Sequence, residues 1–115
     1  MAKALFLSPM VASTSLDESV TFLEGAFGFK LVFSSETYRI CEKDGLTLHL
    51  QKAGKDVGEC AVYLEVDDLD EAWDRAKSHL DGVRHRSPFE QEYRMREFHV
   101  DIPHTNCLFF VGQSI

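Results

Sequence analysis

The chain has no long apolar run. None of its hydrophobic segments approaches the roughly 20 residues that a membrane-spanning helix needs. Near the start, Ala4 to Val11 is short and interrupted by Ser8 and Pro9, so nothing resembles a secretory signal. Cysteine is scarce. Cys41, Cys60 and Cys107 each sit in an apolar, strand-like stretch, and no Cys-x-x-Cys or metal-type spacing links them. An odd count without a secretion signal predicts reduced, buried thiols in a cytoplasm. Positive charge is also in deficit. Twelve Lys and Arg against 19 Asp and Glu leave a net charge of −7, which disfavours nucleic acid as a partner and accommodates a cationic one. A nucleophile elbow, a phosphate-binding loop and a basic patch are all missing.

What is present suffices for one domain. At 115 residues, with 44% apolar content, a chain can bury roughly two thirds of its unfolded surface around a single core. Its tail, Tyr93 to Gln113, reads as strand, turn, strand. Phe98 and Val100 alternate with polar neighbours, Pro103-His-Thr-Asn106 supplies turn chemistry, and an apolar run from Cys107 to Val111 follows.

The rest of the chain repeats one plan. Ala4 to Val11 predicts a first strand. Ser15-Leu-Asp-Glu18 fits a capping box, Leu16, Val20, Leu23 and Phe27 recur at helical spacing, and Gly28 is placed to end that helix. Three strands are expected over Phe29 to Ser34, Thr37 to Glu42 and Leu46 to Gln51, with Lys43-Asp-Gly45 as a hairpin turn. After a linker at 53–58 the plan restarts. A strand from Cys60 to Val66 precedes the cap Asp68-Leu-Asp-Glu71, a stripe of Leu69, Trp73, Ala76 and Leu80, then Gly82 and three more strands. The organisation expected is a single α+β domain over 1–115, with module one at about 1–52 and module two at about 59–115. Each module is βαβββ, and the pair forms a curved mixed sheet of eight strands with helices outside and a hollow on the inner face.

Three stretches carry a family resemblance: Leu16-Asp-Glu-Ser-Val-Thr-Phe with Gly28-Phe29, Leu64-Glu-Val-Asp-Asp-Leu-Asp-Glu, and Arg96-Glu-Phe-His-Val-Asp-Ile-Pro-His-Thr-Asn106. In this order and spacing the chain resembles the vicinal-oxygen-chelate superfamily, which includes glyoxalase I, extradiol dioxygenases, fosfomycin-resistance enzymes and bleomycin-resistance proteins. The last stretch is a worn form of the family's Asp-Pro-Asp-Gly-Asn turn. The resemblance implies a divalent metal held on the inner face from four strand positions. Those positions fall here on Ser8, His49, Ala61 and Phe109, of which His49 alone is a good ligand. Tight binding of a transition metal ordinarily needs about three protein ligands or more. The sequence thus departs from the family where the family's chemistry resides, and leans away from an enzyme.

Candidate site residues follow from strand parity. Thr47, His49 and Gln51 oppose Leu46, Leu48 and Leu50, so His49 faces the hollow as a ligand contact or stands as a solvated strand histidine. Phe6, Met10, Ala61, Tyr63 and Phe109 are assigned to the same inner face, either lining an apolar pocket or filling a core or dimer contact. Arg96, beside Arg94, is a candidate grip for an anionic group, with pairing to Glu90, Glu92 or Glu97 as the alternative. A displaced metal site of His49 with Glu97, His99 and His104 is too loose to count as a motif. The expectation is a small-molecule-binding homodimer similar to bleomycin-resistance proteins, without cofactor or metal. Its ligand site comprises His49, Tyr63, Phe109, Phe6 and Arg96, and a cationic ligand suits the charge. The competing readings are a glyoxalase- or dioxygenase-like metalloenzyme with atypical ligands, and a structural dimer whose hollow is filled by its own side chains.

Overall fold

The structure, a computed structural model, describes residues 2–115. Module one contains β1 (Met10–Ser13), α1 (Leu16–Phe27), β2 (Lys30–Ser34), β3 (Tyr38–Lys43) and β4 (Leu46–Lys52). Module two contains β5 (Cys60–Glu65), α2 (Leu69–Ala76), a 3-10 turn at Lys77–His79, β6 (His85–Glu90), β7 (Met95–Ile102) and β8 (Cys107–Ser114). The βαβββ repeat expected from the sequence is present. Its two sheets have equivalent orders, β1-β4-β3-β2 and β5-β8-β7-β6, with the first strand of each parallel to the last. The eight strands divide into two four-stranded sheets rather than one continuous sheet.

Two local expectations are corrected. The first strand begins at Met10, not Ala4, because its parallel ladder runs only from Met10↔His49 to Ser13↔Lys52. The preceding apolar residues have no ladder partner. Leu5, Phe6 and Leu7 are left 84%, 78% and 99% exposed. The second correction concerns Ser15. It occupies the N-cap of α1 in an extended conformation but makes no side-chain cap hydrogen bond. Ser13 takes the place of Glu18 in the box: its Oγ accepts the Ser15 N–H at 3.1 Å and is held by the Ser19 hydroxyl at 2.8 Å, while Glu18 reaches His104 instead. The matching cap on α2 forms as expected, Asp68 accepting the Glu71 N–H at 3.1 Å.

Turn chemistry follows the sequence closely. Gly28 ends α1 in the left-handed region, with φ of 76°. Asp44 and Gly45 both have positive φ, 52° and 82°, the paired left-handed geometry of a type I′ hairpin between β3 and β4.

One core serves both modules. Val11, Cys41, Leu48 and Leu50 from the first sheet and Phe98, Val100, Ile102, Phe109 and Val111 from the second are all buried in it. Phe27, the last residue of α1, joins them. Its ring meets Phe109 edge-on at 5.0 Å and lies parallel to Phe98 at 6.4 Å. The helices meet as well: Arg75 of α2 donates to the carbonyls of Gly25 at 3.1 Å and Glu24 at 3.2 Å. A β-carbon at Gly25 would lie 2.9 Å from the His79 ring, so this approach requires glycine.

Phe27→Ala should cost about 3–5 kcal/mol in urea unfolding, because it opens a cavity against Phe98 and Phe109 of the second sheet. Asp68→Ala should cost about 1 kcal/mol and Ser15→Ala under about 0.5 kcal/mol, since only the former cap is made.

Candidate functional site

Packing decides which side chains are free to form a site. In β4, Leu48 and Leu50 are buried in the core, so Thr47 and His49 turn the other way and are half-buried. His49 is fixed from two directions. Its N–H donates to the Pro9 carbonyl at 3.0 Å, and its Nδ1 shares a hydrogen bond of 2.7 Å with the Tyr38 hydroxyl, the two rings meeting edge to face.

β1 pairs only with His49–Lys52, so the first half of β4, from Leu46 to Leu48, has a ladder partner in β3 alone. Beyond that free edge lies β5, and residues 6–9 run across the gap. The result is a largely apolar cavity of about 640 Å³, to which Phe6, Ser8, His49, Tyr63, Leu64 and Phe109 contribute. Its volume lies within the range of drug-sized ligand sites, about 300–1,000 Å³. Ser8 and Thr47 share a hydroxyl hydrogen bond on its wall. A separate cavity of about 440 Å³, bounded by the Lys43–Asp44 turn, Asp67, Asp68 and Arg75, gathers none of the sequence-predicted residues.

Four of the five sequence-predicted residues therefore border one cavity: His49, Tyr63, Phe6 and Phe109. Arg96 does not. It donates to Asp70 at 2.7 Å in an exposed ion pair, and Asp70 was not among the carboxylates expected to meet it. The inner-face assignment of Phe109 is corrected. It is 1% exposed and packs on Phe27 and Phe29, so it closes the cavity from the core side. Phe110, the ladder partner of Tyr63, occupies the inner face instead. Ala61 is exposed on β5 and outside the cavity.

The residues of the displaced metal site are scattered. Glu97 and His99 are 2.9 Å apart on β7, but His104 pairs with Glu18 and His49 is bound to Tyr38. Among the described residues no three of His, Cys, Asp and Glu lie close enough together to hold a metal. With Ser8, Ala61 and Phe109 at three family ligand positions, the residues present do not fit the divalent metal of the family, and no chemistry is derived through one.

Sequence reasoning missed Tyr38 and Tyr93. The ring of His99 is sandwiched between Phe110, 3.9 Å away, and Phe89, 5.0 Å away. Glu97 is 2% exposed although it faces away from the core. Its carboxylate accepts from Tyr93 at 2.5 Å, His99 at 2.9 Å and Gln91 at 3.2 Å. Burial pushes this carboxyl up, but the bonds from His99, Tyr93 and Gln91 outweigh it and hold the group below its ordinary value. Cys41 is a poor nucleophile: burial, with Glu24 nearby, pushes its thiol up to about 11.

The comparisons with known proteins follow this geometry. The family model of the Glyoxalase/Bleomycin resistance protein/Dioxygenase superfamily matches residues 6–101. A bleomycin resistance determinant encoded on the transposon Tn5 is similar in structure, with TM-score 0.83 and 23% identity over 96% of this chain and 98% of that one. A bleomycin-binding protein complexed with bleomycin has TM-score 0.82 and 23% identity, covering 97% and 100%. The fosfomycin resistance protein FosX from Mesorhizobium loti has TM-score 0.72 and 18% identity, covering 100% and 95%. At these identities the likeness is one of fold. No curated protein matches the chain in sequence.

Because the Glu97 carboxyl is depressed in the folded state, its stabilisation is complete above its ordinary value of 4.5 and is lost as pH falls through the lower folded value. Glu97→Gln should therefore lower the urea midpoint at neutral pH and flatten its decline in acid. Equal acid slopes for the two proteins would contradict this.

Proposed function

The chain belongs to the Glyoxalase/Bleomycin resistance protein/Dioxygenase superfamily, and within it we propose that this protein is a small-molecule-binding member that sequesters its ligand without a catalytic metal. The observation that carries the reading is the apolar cavity of about 640 Å³ at the seam between the sheets. Its polar groups are few and fixed: the His49–Tyr38 pair and the Ser8–Thr47 hydroxyls. That composition suits an apolar body oriented by one or two hydrogen bonds. His49, Tyr63, Phe6 and Phe109 are its binding residues. Arg96, engaged by Asp70, contributes only if a ligand displaces that exposed pair.

The working form is a homodimer, with the cleft at the module or dimer interface. Support comes from the family resemblance and from apolar surface that a lone chain leaves in water: Leu5, Phe6 and Leu7 before β1, and Val32 and Phe33 on β2, which are 53% and 49% exposed. A second copy is the occupant that a self-complementary two-fold interface would supply. The cysteines support a reducing, cytoplasmic setting, since Cys41 and Cys107 are buried free thiols. No helix among the described residues is long and apolar enough to cross a membrane.

Light scattering during gel filtration should give twice the chain mass. Bleomycin and other planar organic cations should be screened by thermal shift. A bound ligand at about one hundred times its dissociation constant adds roughly 2.7 kcal/mol of stability. Phe6→Ala and His49→Ala should each reduce that shift for the same ligand. Metal content measured by mass spectrometry should fall well below one ion per chain. About one metal per chain, lost on His49→Ala, would overturn the binding reading in favour of a metalloenzyme with atypical ligands.

A further inference from the structure

Tyr63 also borders a smaller hollow of about 400 Å³. Six side chains line it: Tyr63, Glu65, Tyr93, Met95, Glu97 and Phe110. Three are aromatic, one is a thioether and two are carboxylates; none is cationic. We propose that this hollow binds the alkylated ammonium group of an organic cation, holding it against the rings of Tyr63, Tyr93 and Phe110 and opposite the Glu97 carboxylate.

Glu97 is buried, yet every hydrogen bond it accepts comes from a tyrosine hydroxyl, an amide or an imidazole. Two guanidinium groups of the β6–β7 hairpin are engaged elsewhere, Arg96 with Asp70 and Arg86 3.5 Å above the Phe89 ring, while the third, Arg94, is exposed on the turn and does not line the hollow. The three hydrogen bonds that Glu97 accepts offset the cost of burial and favour the anion, and an opposite charge beside it adds Coulombic attraction. The His99 ring, 2.9 Å away, supplies that charge only when protonated. A ligand cation would supply it at any pH.

The Tyr63 hydroxyl reports the same field. It donates to Glu65 at 3.0 Å. Burial first, then Glu65, Glu97 and Tyr93 push its ionisation up to about 12, so both carboxylates act on the point where the rings converge. Aromatic faces attract cations through their ring quadrupole, and a compact, weakly hydrated alkylammonium enters such a cage more readily than a hydrated lysine-type ammonium does.

The floor of the hollow is bare backbone. A β-carbon at Gly112 would lie 3.0 Å from the Tyr63 hydroxyl and 3.4 Å from Glu97 Cγ and Met95 Cε. Glycine at this strand position lets the tyrosine, the glutamate and the methionine pack down on the backbone beneath the hollow.

This site deepens the binding function proposed above and rests on it in one respect, the shared Tyr63 ring. The large cavity would take the apolar body of a ligand and this one its charged end. The experiment is titration calorimetry of the wild-type protein with choline and with 3,3-dimethylbutan-1-ol, its neutral isostere. Choline should bind with a dissociation constant on the order of 1 mM, and the alcohol at least about tenfold more weakly. Glu97→Gln should weaken choline about tenfold or more. Glu65→Gln, an exposed change with no folding risk, should weaken it severalfold.

Equal binding of choline and its neutral isostere would overturn the proposal, as would the absence of saturable choline binding. Unchanged choline affinity in Glu65→Gln together with a folded Glu97→Gln would do the same. Failure of the large-cavity reading looks different: planar ligands give no thermal shift and Phe6→Ala has no effect, while choline still binds.

Discussion

The structure depends on one aromatic contact that crosses from the first half of the chain to the second. Phe27 ends α1 in module one, yet it packs against Phe98 and Phe109 of module two. Without that contact each module would present a helix and a sheet with an incomplete core. With it, the helix-side faces of both sheets share one apolar interior that includes Leu48, Leu50, Phe98 and Val100. Strand parity does the rest. Every residue not needed inside is directed to the opposite face, so the core determines where His49, Tyr63, Glu97 and Phe110 are found.

The seam cavity and the hollow beside Glu97 differ in physical character, and the difference follows from their positions. One lies at the seam where the sheets fail to join, so its walls are strand edges and apolar side chains. The other lies on the sheet surface of module two, where cross-strand neighbours bring rings and carboxylates together. Neither resembles a metal centre. At the positions where the resemblance implies metal ligands, this chain has a hydroxyl, a methyl and a phenyl beside one histidine. A scaffold that in some relatives concentrates charge on an ion here presents shape and dispersed negative potential.

Much of this was legible in the sequence. The repeat, both helices, the β3–β4 turn and the parity of β4 all follow from spacing, because polar and apolar residues alternate clearly there. Parity failed in β8, where Cys107 to Val111 is apolar throughout and alternation carries no phase. Phe109 and Phe110 could be told apart only through their partners on β7, Val100 and His99. The capping box at Ser15 has the right residues, but a neighbour, Ser13, competes for the same N–H through a hydroxyl already held by Ser19. The Arg96–Asp70 pair joins a strand to a helix N-terminus 26 residues earlier, and the break between the sheets depends on how two edges approach. Both belong to tertiary structure, and no local pattern encodes them.

The link between Arg75 and the end of α1 makes the two modules depend on each other. α1 has no basic residue in its last turn, where a cation would balance the exposed carbonyls. The guanidinium of α2 provides that balance from the other module, and Gly25 makes room for the His79 ring beside it. The two halves have therefore specialised, one as donor of charge and the other as acceptor. Neither half can stand in for the other without leaving the end of α1 unbalanced.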